Sequence, residues 1–260
     1  MNDIKSFNHY FYFDLPIPFQ LRNNITIEIK PVSLSDSELF LNSVDILRID
    51  KNSLPSVEII QMSYLEFLDR VFLNNNPNEK LFRAKLSIVL NYCLGINEWK
   101  ILYNEKNKPF LYDKKALLIT AKEFEKIIRI ILYQNIPHYD DTYINPDLKK
   151  AMQEQDNLKM KNIEFPNLER KMAIITAHCG LPKSEQIKMT LRSHSLLFEE
   201  VCGEIEFTTV RPIALFGGDS DKLDHWIYPK VKGKFDGYIT SIEQFNKSMG
   251  GNGVVQTKQI

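Results

Sequence analysis

Few features that announce catalysis, export or membrane residence occur in this sequence. No apolar run approaches the roughly 18 residues of a membrane-spanning helix, so no membrane association is expected. The first residues set Asp3, His9 and Asp14 among aromatics and lack the basic and apolar blocks of a secretory signal. Neither charge is in excess. With 33 Lys and Arg against 33 Asp and Glu, there is no long-range field to gather DNA, RNA or anionic lipid, which argues against a nucleic-acid partner. The three cysteines, Cys93, Cys179 and Cys202, form no C-x-x-C pair, so a structural zinc site is not expected. Each lies in an apolar context and reads as a small buried hydrophobe in a reducing compartment. Ten glycines and twelve prolines are too few for a low-complexity chain. G-x-S-x-G, P-loop and G-x-G-x-x-G patterns are all missing. A soluble, intracellular chain is expected.

What is present is a sufficient core: 43% of the 260 residues are hydrophobic and 11% aromatic. The aromatic arm Tyr10-Phe11-Tyr12-Phe13 precedes Pro16 and Pro18 and is expected to lie extended on an apolar surface, of this chain or of a neighbour. Ile25, Ile27 and Ile29 alternate with polar residues as a half-buried strand ending at Pro31. Ser35 or Asp36 can cap a helix through Leu39, Phe40 and Val44. Residues 57–73 carry a wide helical stripe, and 81–94 a second helix with Gly95 as its C-cap. Trp99 to Ile119 reads as a small antiparallel meander. Thr120 and Glu123 form a capping box before an amphipathic helix with Phe124, Ile127, Ile128 and Ile131 on its face.

From Pro137 onward the character changes. A polar, aromatic connector holds Tyr139 and Tyr143, and Asn145-Pro146-Asp147 opens a charge-rich helix. The most regular stretch follows. Leu168, Met172, Ile175 and Cys179 stripe a helix that Gly180-Leu181-Pro182 stops. A short helix ends near Met189, and Thr190 can cap a third with Leu196, Leu197 and Val201. Ile205 to Val210 suggests a short strand. Pro212 and Gly217-Gly218 suggest a loop, and 250–260 a polar tail. The fold class expected is α+β, predominantly helical: a small antiparallel sheet with packed helices plus a helical C-terminal domain. Its divisions are 1–140 (α+β), 141–166 (polar helical connector) and 167–260 (mostly helical, with the tail).

Candidate chemistry is sparse. Asp219 to His225 is dense in oxygen ligands, but an EF-hand needs an oxygen where Leu223 stands, glycine where Asp224 stands and an acid where Lys230 stands. His138 with Asp140, Asp141 and Asp147 sits on a connector, a poor scaffold for a metal pair. His178 and Cys179 are adjacent and point about 100° apart on a helix. His194 and Cys202 would sit roughly 12 Å apart. No catalytic residue, cofactor or metal site is expected. The helix–Gly–helix pattern at Gly180 also permits a helix-turn-helix reading, although the segment after it is short to read a groove.

Gly180-Leu181-Pro182-Lys183-Ser184-Glu185-Gln186-Ile187, then Met189-Thr190-Leu191-Arg192 and Leu196-Leu197, resembles a pattern of tail-assembly chaperones of tailed bacteriophages. Residues 61–67, 130–135 and 143–150 and His225-Trp226 resemble large-phage tail and baseplate morphogenesis proteins. The resemblance implies a non-enzymatic role in building a phage tail, in the host cytoplasm during assembly or within the virion tail. The partners it implies are tape-measure, tube or baseplate subunits, in an assembly that can be symmetric. A chaperone would leave after presenting tube subunits; a baseplate protein would stay. The expected interface residues are Tyr10, Phe11, Tyr12, Phe13, Tyr139, Tyr143 and Trp226, with Gly180, Pro182 and Thr190 as structural punctuation. Two other classes remain: an intracellular adaptor or regulator with a helix-turn-helix-like C-terminal module, and an enzyme with a cleft of converging titratable groups.

Overall fold

A computed structural model describes residues 4–54, 56–74, 76–113, 117–142, 144–160, 165–217 and 227. Tyr143, Trp226, the acidic stretch 219–226 and the tail 250–260 lie outside them. The described residues form a predominantly helical α+β fold with two small antiparallel sheets. They group into two compact units, one of residues 1–141 with 166–202 and one of 142–165 with 203–260.

The first unit is built around α6, Ala121–Asn135. Its apolar stripe is met as the spacing predicts: Phe124, Ile127, Ile128 and Ile131 are buried, joined by Ile130 and Leu132. Each such side chain contributes about 1.5–3 kcal/mol on leaving water. The Thr120–Glu123 capping box is present. Glu123 accepts from Thr120 N at 2.8 Å and from Arg22 N at 2.7 Å, which ties the helix start to a loop about 100 residues earlier. Burial alone would raise the Glu123 carboxyl, but the bonds from Thr120 and Arg22 hold it below its ordinary value. At the other end, Asn135 is fully buried, accepting from Val32 N at 2.7 Å and donating to Ile131 O at 2.9 Å.

Around α6 pack α4 (Tyr64–Phe67) and the strands β2 (Thr26–Ile29), β4 (Pro109–Asp113) and β5 (Leu118–Thr120). β1 (Ile17–Gln20) pairs with β2 (Thr26–Ile29), with Ile17 opposite Ile29. β3 (Trp99–Tyr103), β4 (Pro109–Asp113) and β5 (Leu118–Thr120) form the expected meander. α2 (Ser37–Val44) lies against α5 (Glu79–Leu94), which ends at Gly95 with φ +68° as its sequence predicts. The single stripe read over 57–73 is three pieces instead: α3 (Val57–Gln61), α4, and a π-helical turn Leu68–Leu73. Ser63 interrupts it by adopting an extended conformation and accepting from Glu66 N, a local capping bond that competes with helix continuation.

The aromatic arm is not extended. Asn8–Tyr12 is a short helix, α1. The prolines restrict only themselves and the residue before each, so they begin β1 rather than forbid a helix that ends at Tyr12.

The other packed element is the run α8 (Leu168–Cys179), α9 (Lys183–Gln186) and the start of α10 (Leu191–Gly217). Gly180 caps α8 at φ +69°. Met172 and Ile175 carry the buried stripe, while Leu168 and Cys179 at its ends are exposed. The reading of every cysteine as buried is thus corrected. Cys93 is enclosed, Cys202 half-buried and Cys179 open, because Cys179 stands on the last turn next to the cap. This run belongs with residues 1–141 rather than with 203–260. Leu191 N donates to Val32 O and Leu34 N to Met189 O, both at 2.9 Å, and a Ser33–Thr190 bridge lies between.

In the second unit, α7 (Pro146–Met160) starts as its sequence predicts, with Asn145 Oδ1 accepting from Asp147 N at 2.9 Å. The strand expected over 205–210 is helix, the distal part of α10. A β-branched residue costs a helix well under 1 kcal/mol, less than a lone strand without a partner would forfeit. Thr208 and Thr209 return their hydroxyls to Glu204 O and Ile205 O, at 2.8 and 2.7 Å. Pro212 lies inside the helix rather than opening a loop.

Candidate interaction surface

The N-terminal aromatics divide by direction. Phe11 is buried at 7% exposure, whereas Tyr12 and Phe13 stand 71% and 64% exposed. Tyr10 is half-buried against the core. The two outward rings sit between two anchors. On one side the Arg192 guanidinium lies 5.8 Å from the centre of the Phe11 ring. On the other, the Asp14 carboxylate accepts from Thr190 Oγ1 and from Ser193 Oγ, both at 2.7 Å. Asp14 is left-handed, with φ +53°, an uncommon conformation for a residue other than glycine. Leu15 then folds back: its N–H donates to Tyr10 O at 2.9 Å and its carbonyl accepts from Gln134 Nε2 at 3.1 Å. The result is a fixed aromatic step. His9 extends it, its ring 4.9 Å from that of Phe13.

Thr190 has two roles here. Its Oγ1 accepts from Ser193 N at 3.1 Å, the N-cap predicted for the third helix, and donates its own proton to Asp14. Pro182 precedes α9 in extended conformation, with ψ 154°. Arg192 also donates through Nη1 to Tyr133 O at 3.0 Å, joining the first turn of α10 to the last turn of α6. Burial pulls Arg192 below its ordinary value, with the Asp14 charge opposing.

Of the connector, Tyr139 and Asp141 pack against the last turns of α6. Tyr139 is half-buried, edge-on to Tyr133 at 5.0 Å. Tyr133 OH donates to Asp141 Oδ1 at 2.8 Å, and Arg129 forms an ion pair with the same carboxylate. Burial and the Asp141 charge raise the Tyr139 phenol. His138 faces Glu199 on α10 at 2.7 Å. Among the described residues no group of three or more His, Cys, Asp or Glu could hold a metal ion.

A buried polar network escaped the sequence reading. Gln186 is fully enclosed and His194 is 1% exposed, their side chains 3.2 Å apart. Gln186 Nε2 lies within hydrogen-bond distance of Met172 O, Thr176 Oγ1 and Leu181 O, at 3.1, 3.0 and 2.9 Å. One amide thereby fastens α8, α9 and α10. The only available signal was a polar side chain three or four residues from apolar ones, which surface positions share. Burial, and secondarily Lys171, lowers the His194 imidazole below its ordinary value.

The first turn of α10 is committed inward: Leu191 and His194 are buried, Arg192 holds Tyr133 O and Phe11, and Ser193 holds Asp14. α9 is a single turn. A recognition helix reads a groove through a row of basic and amide side chains, for which one turn is short. Comparison with protein-family models, curated proteins and solved structures finds no match to this chain.

Proposed function

We propose that this chain is a bacteriophage tail or baseplate morphogenesis protein that works without catalysis, through protein–protein interfaces. The observation that carries the interface is the step formed by Tyr12 and Phe13, two exposed rings between buried Phe11 and the bonded, half-buried Asp14. Aromatic side chains supply a disproportionate share of interface energy, and a backbone anchored beforehand at Phe11, Asp14 and Leu15 has less freedom to lose on docking. The phage setting rests on the resemblance of residues 180–197 to tail-assembly chaperones and of 61–67, 130–135 and 143–150 to tail and baseplate proteins. The partners are then tape-measure, tube or baseplate subunits.

A mass-spectrometric census of purified particles, beside a pull-down from infected-cell lysate, tests the reading. A defined copy number in the particle makes the chain a structural tail component. Recovery only from lysate, with a long tape-measure chain, makes it an assembly chaperone. Absence from both ends the phage reading. The double variant Tyr12→Ala, Phe13→Ala is expected to lose its partner, with affinity down roughly tenfold or more. Its thermal midpoint should stay unchanged, since neither ring is buried. Capture at wild-type level would remove the aromatic step as the interface.

A further inference from the structure

We propose that Asp14 is a latch that couples the exposed aromatic step to the first turn of α10, so that the two open and close together. This inference concerns the chain alone and does not depend on the phage reading.

Residues 11–14 alternate between anchor and display. Phe11 goes inward under Arg192, Tyr12 and Phe13 go outward, and Asp14 goes inward to α10. Both Asp14 oxygens are used, Oδ1 by Thr190 and Oδ2 by Ser193. The bonds run between positions 176 and 179 residues apart, so nothing local enforces them. They bear on the N-terminal turn of a long helix, where unpaired N–H groups favour a carboxylate. Arg192, on the same turn, is the second tie, gripping Phe11 by its ring and α6 through Tyr133 O.

Releasing Asp14 leaves the hydroxyls of Thr190 and Ser193, both half-buried, without their acceptor. It also removes contacts that help hold a left-handed aspartate at φ +53°. Phe13 directly precedes Asp14 and Tyr12 precedes Phe13, so the backbone that carries the two display rings is tethered while Asp14 stays fastened. A ligand gripping Tyr12 and Phe13 therefore acts on the start of α10. By reciprocity of linkage, whatever disturbs the start of α10 acts on the rings.

Hydrogen–deuterium exchange on the full-length chain tests the coupling, comparing wild type with Asp14→Ala and Ser193→Ala. Each substitution is expected to speed exchange roughly tenfold in both segments, 8–16 and 188–196, because a bond to a charged acceptor is lost. Exchange in α5 should stay at the wild-type rate. The proposal is overturned if each change is felt only in its own segment, or if α5 speeds up equally, which marks general destabilisation. Should Asp14→Ala not fold, Ser193→Ala decides alone: its effect on residues 8–16 is either present or absent.

Discussion

His194 shows how much a single buried side chain governs here. It is enclosed beside Gln186 and kept neutral chiefly by burial. In the unfolded chain it titrates near 6.5, whereas in the fold it takes up a proton only at lower pH. Between those values the unfolded state binds more protons, so stability falls as pH drops below about 6.5. Denaturant unfolding at pH 7.5 and pH 5.5 should show this loss in the wild type and a smaller one in His194→Gln. Equal losses in the two proteins would mean that His194 titrates normally. Nothing in the stretch Arg192-Ser193-His194-Ser195 distinguishes this histidine from an exposed one. Its burial follows from three helices meeting, not from its neighbours in sequence.

Among the elements, helix ends were the most legible part of the chain. Gly95 and Gly180 stop α5 and α8 with positive φ, Thr120 and Glu123 start α6, and Asn145 starts α7. These signals act within about four residues, so the chain near each stop contains the whole cause. No atom lies within 4 Å of a Cβ built on Gly180, so a substitution there meets only backbone strain. Gly180→Val is expected to cost about 1–2 kcal/mol, the penalty of the left-handed region, and Gly180→Asn clearly less. Thermal unfolding of both variants measures the difference, and an unchanged midpoint for valine would deny Gly180 its role as a cap. The misread elements were those whose local preference is weak. Residues 205–210 follow the helix already running from Leu191, and 57–73 break where Ser63 prefers to cap.

For the whole molecule, the division into units matters more than the order of elements. Residues 166–202 close the first unit: Leu191 joins its core, Thr190 and Ser193 hold Asp14, and the 189–191 backbone bonds to Val32 and Leu34. A chain cut after residue 141 is expected to lose these contacts together. It should unfold non-cooperatively or at a markedly lower midpoint in circular dichroism. A cut after residue 202 retains all of them and should keep the first unit cooperative. Equal behaviour of the two truncations would refute the grouping.

The sequence by itself determined the predominantly helical α+β class, the meander, the buried stripe of α6 and most helix stops, because periodicity and caps are written within a few residues. It also marked Tyr10 to Phe13 as unusual, but not which rings face out. Only the tertiary structure decided that Phe11 is an anchor while Tyr12 and Phe13 are displayed, that Asp14 reaches Thr190, and that Asn135 serves Val32. Each of these depends on a bond or a burial between residues more than a hundred positions apart, and such a bond leaves no periodic or neighbouring trace along the chain.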